Sequence, residues 1–409
     1  MQSAAIVAEG SALPRRRSVR RLTGYDADLM HPLFSDRIMR IPSVSTLFHW
    51  RCTIALALAL IALPGLAQIS NETLMQQICG SPTPDVAALV QHPEIINFYL
   101  ENDLVAGSDS NYTSGVKVSW VSANLKDYIH DPCLPHWVRA LNRAFESVHP
   151  GRFTSRNMVV TAGQAMYTPR DKTATGVIPD DRPYAGWLYL GLGYNARDAR
   201  RMDTVEVNLG VVGPAALARQ SQDFIHSLRG IDRFNGWDNQ LHNEPGLQIV
   251  AERKNKIWIS DNKWGPAFDA ISHYGVSVGN VATYANAGLE LRAGSRLPDD
   301  FGTAPIRPGG DSNAPLAEGA AARRLTGSAL HGFVSLDGRA VARDIFLDGN
   351  TFGDSHHVSK KNLVGDLSAG LAWQWPGAKL TYAYYMRSKE FRTQTKLQRY
   401  GSLTLSLEY

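Results

Sequence analysis

The chain has 409 residues, and 44% of them are hydrophobic, a share that is ordinary for a globular protein and excludes a bundle of membrane-spanning helices. The net charge is +4, but residues 1–67 hold eight Arg against four acidic residues and therefore carry all of it. The remaining chain is neutral, so charge gives no reason to expect a nucleic-acid partner.

Residues 53–67 have the pattern of a secretory signal. Arg51 precedes an apolar run of about 13 residues, which ends in the small-residue segment 63–67. A membrane-spanning helix needs roughly 20 apolar residues, so a cleaved signal is favoured over a signal anchor. We therefore predict an N-terminal extension and signal peptide over 1–67, a lead-in segment over 68–93 and a folded domain over 94–409.

Export would place the mature chain in an oxidising compartment. Cys52 leaves with the signal, and Cys79 and Cys133 remain as an even pair. A disulfide between them is allowed in such a compartment, although their spacing alone does not establish it.

Strand patterns dominate from residue 94 onward. Short segments rich in β-branched, aromatic and Leu residues recur, and several alternate between apolar and polar positions. The alternation is clearest from Leu403 to the aromatic Tyr409. The predicted strands are 95–100, 115–124, 157–165, 187–194, 203–212, 245–252, 256–261, 268–278, 283–293, 328–338, 363–375, 379–387 and 403–409.

This pattern predicts an all-β fold, a transmembrane antiparallel β-barrel. An alternating last strand that ends in an aromatic residue resembles the insertion signal of bacterial outer-membrane barrels, and such strands face lipid on one side and the lumen on the other. A soluble periplasmic sandwich is the alternative. Three Gly/Pro-rich connections, 169–183, 296–322 and 344–361, are expected as long loops on one side, with 299–322 exposed.

One segment, 214–230, predicts a short helix inserted between strands. Pro214 suits the first turn, and Gly230 suits the C-terminal cap. Ala218, Phe224 and Ile225 are expected to pack on a wall. The helix also carries one histidine, which makes it a candidate for function.

Polar side chains gather where the first two predicted strands join. Asn102, Asp103 and Thr113 bring an amide, a carboxylate and a hydroxyl to this hairpin. Such oxygen ligands suit a hard cation. A polar turn held by local hydrogen bonds explains the same residues equally well.

A second candidate pair is His226 with Asp232, which follows Gly230 in the next turn. Histidine titrates near neutrality and commonly serves as a general base, and a carboxylate can orient it or help to hold a metal. A surface histidine on a helix is the alternative. The sequence contains no GxSxG elbow, Walker loop or HExxH motif, so an activated water is simpler than a serine nucleophile.

Two further groups have weaker signals. His242 and Glu244 form a base–acid pair or, alternatively, serve as hydrogen-bonding residues in the lumen. Lys172 and Arg182 could meet a phosphate, or could be solvated loop charges.

Seven short motifs, in order over nearly all of 94–409, resemble the outer-membrane lipid A 3'-O-deacylase family. They are Asn102-Asp103, Tyr112-Thr113-x-Gly115, Tyr167-x-Pro169, Gly210-Val-Val-Gly-Pro214, His226 before Gly230, Trp237-x-x-Gln240 and Ser388-x-Glu-Phe-Arg-Thr393.

The resemblance implies a barrel of about twelve strands in the bacterial outer membrane, with its site near the lipid-facing outer leaflet. It implies a Ca²⁺-dependent esterase that removes the 3'-linked acyloxyacyl chain of lipid A in lipopolysaccharide. We expect such a protein to act as a monomer. An outer-membrane phospholipase and a non-catalytic barrel, either a porin or a structural protein, are the alternatives.

The resemblance also assigns roles to residues. His226 is the general base that activates water, and Asp103 and Thr113 lie around the metal, while Asn102 helps to fix the geometry. Asp232 stands where the family can have Glu and is a further catalytic and metal-ligating candidate. Lys172 is a possible substrate-binding match, although the length of its loop differs.

Overall fold

The described residues form a closed barrel of twelve antiparallel strands, in which β1 pairs with β12. The structure is a computed structural model. It describes residues 94–103, 111–125, 129, 139–140, 142–143, 153–260, 266–303 and 328–408, so the predictions for residues 1–93 and the possible disulfide lie outside it. The strands are β1 (Ile95–Asn102), β2 (Asn111–Val121), β3 (Ser155–Thr168), β4 (Ala185–Arg197), β5 (Arg201–Val212), β6 (Glu244–Ile259), β7 (Ala267–Val278), β8 (Ala282–Gly294), β9 (Ala329–Asp344), β10 (Leu363–Trp375), β11 (Ala378–Arg387) and β12 (Gln398–Glu408), and the helices are α1 (Ala218–Arg229) and α2 (Ile345–Asp348).

The barrel fold predicted from the alternation is confirmed. Outward positions are apolar and exposed, as at Leu188 and Leu190 of β4, whereas Trp187 and Tyr189, which alternate with them, are buried in the lumen. On β10 the outward apolar row begins at Leu363 and ends at Trp373, ten residues further on. A strand that rises about 3.3 Å per residue and tilts by about 40° covers about 25 Å of height in that distance, the height of an outer-membrane apolar band.

The lumen is packed with paired charges. Arg292 donates to Asp269 over 2.8 Å, and Arg182 donates to Glu390 over 2.7 Å. These side chains are buried, and each charge has an opposite charge beside it. Among the described residues, no helix is long and apolar enough to cross a bilayer.

The two ends of the barrel differ. The end that holds the start of β1 and the end of β12 is called the terminal end here, and the opposite end, which carries α1, is called the helix end. Connections 169–183 and 344–361 lie at the helix end, but residues 296–303, the described part of connection 296–322, lie at the terminal end, so the long connections do not all share one side as expected.

The beginning of connection 296–322 is not exposed as predicted. Asp300 is buried in the mouth of the barrel, where it accepts a hydrogen bond from Lys379 over 2.6 Å and pairs with Arg292. Asp299 pairs with Lys256. Acidic residues that looked solvated in the sequence thus meet basic partners from distant strands.

One strand is longer than predicted. The segments 245–252 and 256–261 belong to a single strand, β6 (Glu244–Ile259). The two charged residues between these segments, Arg253 and Lys254, fit within a strand because each lies beside an acidic residue. Arg253 faces outward and donates to Asp203 over 2.7 Å, and the buried Lys254 lies 3.6 Å from Glu252 in the lumen.

Candidate active site

Helix α1 lies against the outer face of the barrel wall. Gly186 of β4 points outward, in the same direction as Leu188, and a Cβ on it would stand 2.6 Å from the Cβ of Ala218. Gln164, an outward-facing residue of β3, donates a hydrogen bond to the carbonyl of Ala216 over 2.6 Å. The missing side chain at Gly186 therefore gives the helix a seat on the outside of the barrel.

A row of outward-facing positions continues from this seat across the wall. The strand registers place Gly186 beside Met166 of β3, Met166 beside Ser114 of β2, and Ser114 beside Asn102 of β1. All four are buried, although their neighbours at Leu100 and Leu188 are exposed. A covered patch thus interrupts the lipid-facing surface near the helix end.

The wall-facing side of α1 is small and polar. Its buried residues are Ala218, Gln222 and His226, one helical turn apart from one another. Phe224 is exposed, so the prediction that it packs on the wall is wrong. In a membrane barrel an outward apolar residue can face lipid instead of protein.

The helix begins later than predicted. Pro214 opens a separate 3₁₀ turn (Pro214–Ala216), and α1 starts at Ala218 after Leu217, whose backbone is left-handed with φ 57°. The predicted cap at Gly230 is confirmed, with φ 65° and its amide donating to the carbonyl of His226.

The ring of His226 is held in a defined orientation. Its Nδ1 lies 2.7 Å from the backbone carbonyl oxygen of Asp232, and its ring meets Phe234 at a centroid distance of 5.7 Å. A carbonyl oxygen only accepts hydrogen bonds, so Nδ1 must carry the proton of this contact. In the neutral ring Nε2 is then the basic nitrogen.

Asp232 contributes its backbone to this contact rather than its carboxylate. The carboxylate is 90% exposed and lies 3.8 Å from Nζ of Lys172. The two segments are also joined by the amide of Asn235, which donates to the carbonyl of Lys172 over 3.0 Å. Lys172, Asp232 and His226 are therefore neighbours; the sequence analysis paired His226 with Asp232 but did not place Lys172 beside them.

The loop that carries Lys172 has a fixed local shape. The hydroxyl and the amide of Thr173 both donate to Oδ1 of Asp171, over 2.7 and 2.9 Å. These hydrogen bonds hold the pKa of Asp171 below its ordinary value because they favour the charged carboxylate. Lys172 is thus presented next to Asp232 by an ordered turn.

Gln222 is a site residue that the sequence reasoning missed. Its side chain is 2% exposed, and its Oε1 accepts a hydrogen bond from Nε1 of Trp237 over 2.7 Å. Its Nε2 is buried and has no hydrogen-bond partner within the part of the chain that the structure describes. The signal was its position one turn before His226, on the same face of the helix.

The hairpin residues stand at the far end of the covered patch. Asn102 is buried at the end of β1, and Asp103, which follows it, is 0% exposed. Thr113 is the extra residue of a β-bulge between Tyr112 and Ser114 of β2. Bulges re-aim the chain locally and are frequent beside active sites.

The helix has the length to approach these residues. It contacts β4, where Ala218 sits over Gly186, and β3, the next strand toward β1. His226 lies eight residues beyond Ala218, about 12 Å along the helix. Neighbouring strands are about 4.8 Å apart, so this length covers two to three strand spacings.

The donor types at the hairpin suit calcium. Within the described ranges, no three His, Cys, Asp or Glu side chains gather in a group that could hold a metal ion. Calcium, however, also takes amide, hydroxyl and backbone oxygens. The buried oxygens of Asn102 and Asp103 fit such an ion, whereas the exposed carboxylate of Asp232 faces Lys172.

The family is identified by comparison with known proteins. A family model described as "Outer membrane protein LpxR" matches residues 54–409. The chain belongs to this family. This confirms the resemblance drawn from the seven motifs, and the closed barrel agrees with a place in the bacterial outer membrane. A search of curated proteins found no match.

The solved structure of LpxR from Salmonella typhimurium has the same fold as this LpxR family member. It is 17% identical, has a TM-score of 0.58, and the match covers 77% of this chain and 100% of that one. Two other barrels also match, at low TM-scores. They are the β domain of the Bordetella autotransporter BrkA (10% identity, TM-score 0.37, 78% of this chain and 99% of that one) and the translocator domain of NalP from Neisseria meningitidis (9%, 0.31, 78% and 88%).

The remaining candidates have structural roles in this LpxR family member. Arg182 is buried and paired with Glu390 and is not a solvated loop charge. Glu244 accepts hydrogen bonds from the side chain of Asn350 over 2.9 Å and from the amide of Thr351 over 2.8 Å, which ties the loops of the helix end together. His242 is exposed.

Proposed function

We propose that this chain is a lipid A 3'-O-deacylase, a Ca²⁺-dependent esterase of the outer leaflet that acts as a monomer on lipopolysaccharide. The observation that carries the proposal is the oriented His226 on a helix seated on the outside of the wall. The family membership supports the same activity.

The outer face of the wall is where a lipid ester can arrive without leaving the bilayer. Leu188, two residues below Gly186 on β4, already belongs to the exposed apolar surface. The helix seat therefore borders the apolar band, at the height where acyl chains join a headgroup. We place the terminal end toward the periplasm and the helix end outward, since this orientation brings the helix seat to the outer leaflet.

The residues present can perform ester hydrolysis with a water nucleophile. Nε2 of His226 takes a proton from water as the oxygen attacks the acyl carbon. The carbonyl of Asp232 stabilises the charged ring through Nδ1. The C–O bond to the sugar then breaks, and the ring returns the proton to the leaving 3'-oxygen. The products are a free acyloxyacyl acid and a 3'-hydroxyl.

The attacked carbonyl needs a group that stabilises its developing negative charge. The buried Nε2 of Gln222, one turn from His226, can donate such a hydrogen bond. Bound Ca²⁺ would act as a Lewis acid on the same carbonyl. Asp103 and Thr113 would hold it, with Asn102 beside them. We assign Asp232 to ring orientation, because its carboxylate faces Lys172.

Lys172 is suited to recognise the anionic headgroup. Its side chain is about one-third exposed, beside the turn that orients His226. A phosphate of lipid A could replace the carboxylate of Asp232 as its partner. This contact would fix the position of the sugar relative to His226, the general base.

Mass spectrometry of lipid A from cells that express wild type or His226→Ala tests the proposal. We expect wild type to release the 3' acyl group and the variant to release none, while both barrels stay heat-modifiable on gels. His242→Ala removes an exposed histidine at the same barrel end and should keep full activity. If cells that express a folded wild-type protein have unchanged lipid A, the proposal is refuted.

The alternatives give different results in the same experiment. Lysophospholipid in place of deacylated lipid A would indicate a phospholipase. A porin would conduct ions in a planar bilayer, which the charge-filled lumen described above argues against.

A further inference from the structure

Helix α1 carries an apolar stripe on the side away from the wall. Leu217, Phe224 and Leu228 are 50%, 64% and 52% exposed. At 100° per residue Phe224 and Leu228 point within about 40° of each other, on the side of the helix away from Gln222 and His226, and Leu217 is exposed directly before the first turn. Large apolar side chains at this spacing form one continuous surface.

The backbone holds this stripe in place at some cost. Leu217 is the one residue other than glycine with a positive φ among those the structure describes. Glycine adopts this left-handed conformation freely, whereas a residue with a Cβ is disfavoured in it. A leucine therefore occupies a position that suits glycine, and half of its surface is exposed.

The stripe adjoins the surface that already faces lipid. The first turn of α1 sits over Gly186, and Leu188 and Leu190 continue the exposed apolar surface directly below it on β4. A helix at this height lies at the border between acyl chains and headgroups. If the stripe faced water, three large apolar side chains would be hydrated at the edge of a hydrocarbon layer, which is unfavourable.

The charges of α1 complete an interfacial pattern. Arg219, which pairs with Asp238 over 2.8 Å, and Arg229 are exposed near the two ends of the helix. Helices that lie in a membrane surface combine an apolar face with basic residues that meet anionic headgroups.

We propose that Leu217, Phe224 and Leu228 are embedded among the acyl chains of outer-leaflet lipid and anchor α1 in the membrane surface. The anchor keeps the wall-facing side of the helix, including His226, at a fixed depth. The inference concerns membrane contact and stands whether or not the chain deacylates lipid A.

Accessibility of a spin label tests this contact without measuring activity. A nitroxide is attached at Phe224→Cys after Cys52, Cys79 and Cys133 are changed to Ser, and the protein is placed in vesicles of phosphatidylcholine and lipopolysaccharide. Leu190→Cys on the barrel wall is the lipid-facing control. Phe352→Cys, an exposed aromatic in the connection after α2, is the water-facing control.

We expect oxygen to reach the label at 224 as it does at 190, with an oxygen-to-nickel-chelate collision ratio several-fold above that at 352. A ratio like that of 352 would overturn the proposal. Protection from both reagents would also overturn it, because it would mean that another protein surface covers the stripe. If the cysteine-free barrel does not assemble, Phe224→Trp in the native chain with brominated lipids decides in its place. The wild type is the reference, because its outward Trp258 and Trp373 also meet lipid, and only an increase in lipid-quenched fluorescence over the wild type supports the anchor.

Discussion

Gly186→Ala should displace helix α1 from the barrel wall without disrupting the fold of the barrel. The added Cβ would stand 2.6 Å from the Cβ of Ala218 and 3.0 Å from that of Ala216. Carbon atoms pack at about 3.5–4.0 Å, so the start of the helix must move outward by about 1 Å. A misplacement of about 1 Å can cost about 10²-fold in rate. We expect such a loss with little change in barrel stability.

The assay is release of the 3' acyl group from purified lipid A in detergent, with heat-modifiability as the measure of folding. Gly332→Ala is the matched control, because Gly332 is also an outward-facing strand residue but a Cβ there meets nothing closer than 3.6 Å. Wild-type rates for Gly186→Ala in a folded barrel would refute the assigned position of the helix.

A second substitution tests the same contact from the other side. Ala218→Gly removes the atom that the new Cβ would strike, at a cost in helix stability of up to about 1 kcal/mol. The double variant should recover part of the activity lost by Gly186→Ala. No recovery would mean that the loss has another cause.

Three further outcomes follow from the structure. Gln222→Glu keeps an acceptor for Trp237 but removes the free donor, and should lower kcat by about 10²-fold or more; an unchanged kcat would remove Gln222 from the reaction. A chelator should stop acyl release, and added Ca²⁺ should restore it more fully than Mg²⁺, which demands stricter octahedral geometry; full activity in chelator would contradict the metal role. Arg292→Leu leaves Asp269 and Asp300 without this partner and should destabilise the barrel by about 3–5 kcal/mol, read as a lower temperature of heat-modification, and an unchanged temperature would mean that the cluster does not stabilise the fold.

Much of the fold could be predicted from the sequence, because a barrel strand in a membrane needs alternating apolar and polar residues over its whole length. The run from Leu403 shows it without interruption. The pattern failed at Arg253 and Lys254, where charges appeared to break a strand. Arg253 pairs with Asp203, fifty residues away, which cannot be read from local periodicity, and Lys254 lies beside Glu252 on the same strand, facing the lumen.

The site was legible in part. His226 was chosen as a candidate from its residue type and from its place on the helix that ends at Gly230, and the structure shows it buried against the wall with an oriented ring. Phe224 was misplaced, because an apolar residue was assumed to face protein, whereas an outward apolar residue of a membrane barrel can face lipid instead. The contact that orients His226 comes from the backbone of Asp232, and a backbone carbonyl leaves no signature in residue type. Arg182 is buried because it pairs with Glu390, which lies far from it in the sequence, so local residue types do not reveal the contact.

The closure of the barrel has a consequence for when hydrolysis can begin. Asn102, next to Asp103, sits on the first strand opposite Gly401 of the last strand. The first strand therefore lacks one of its two neighbours until the final residues of the chain have been delivered and paired. Under the proposed function, a chain that has not yet inserted would carry an incomplete site, and activity would begin only when insertion is complete.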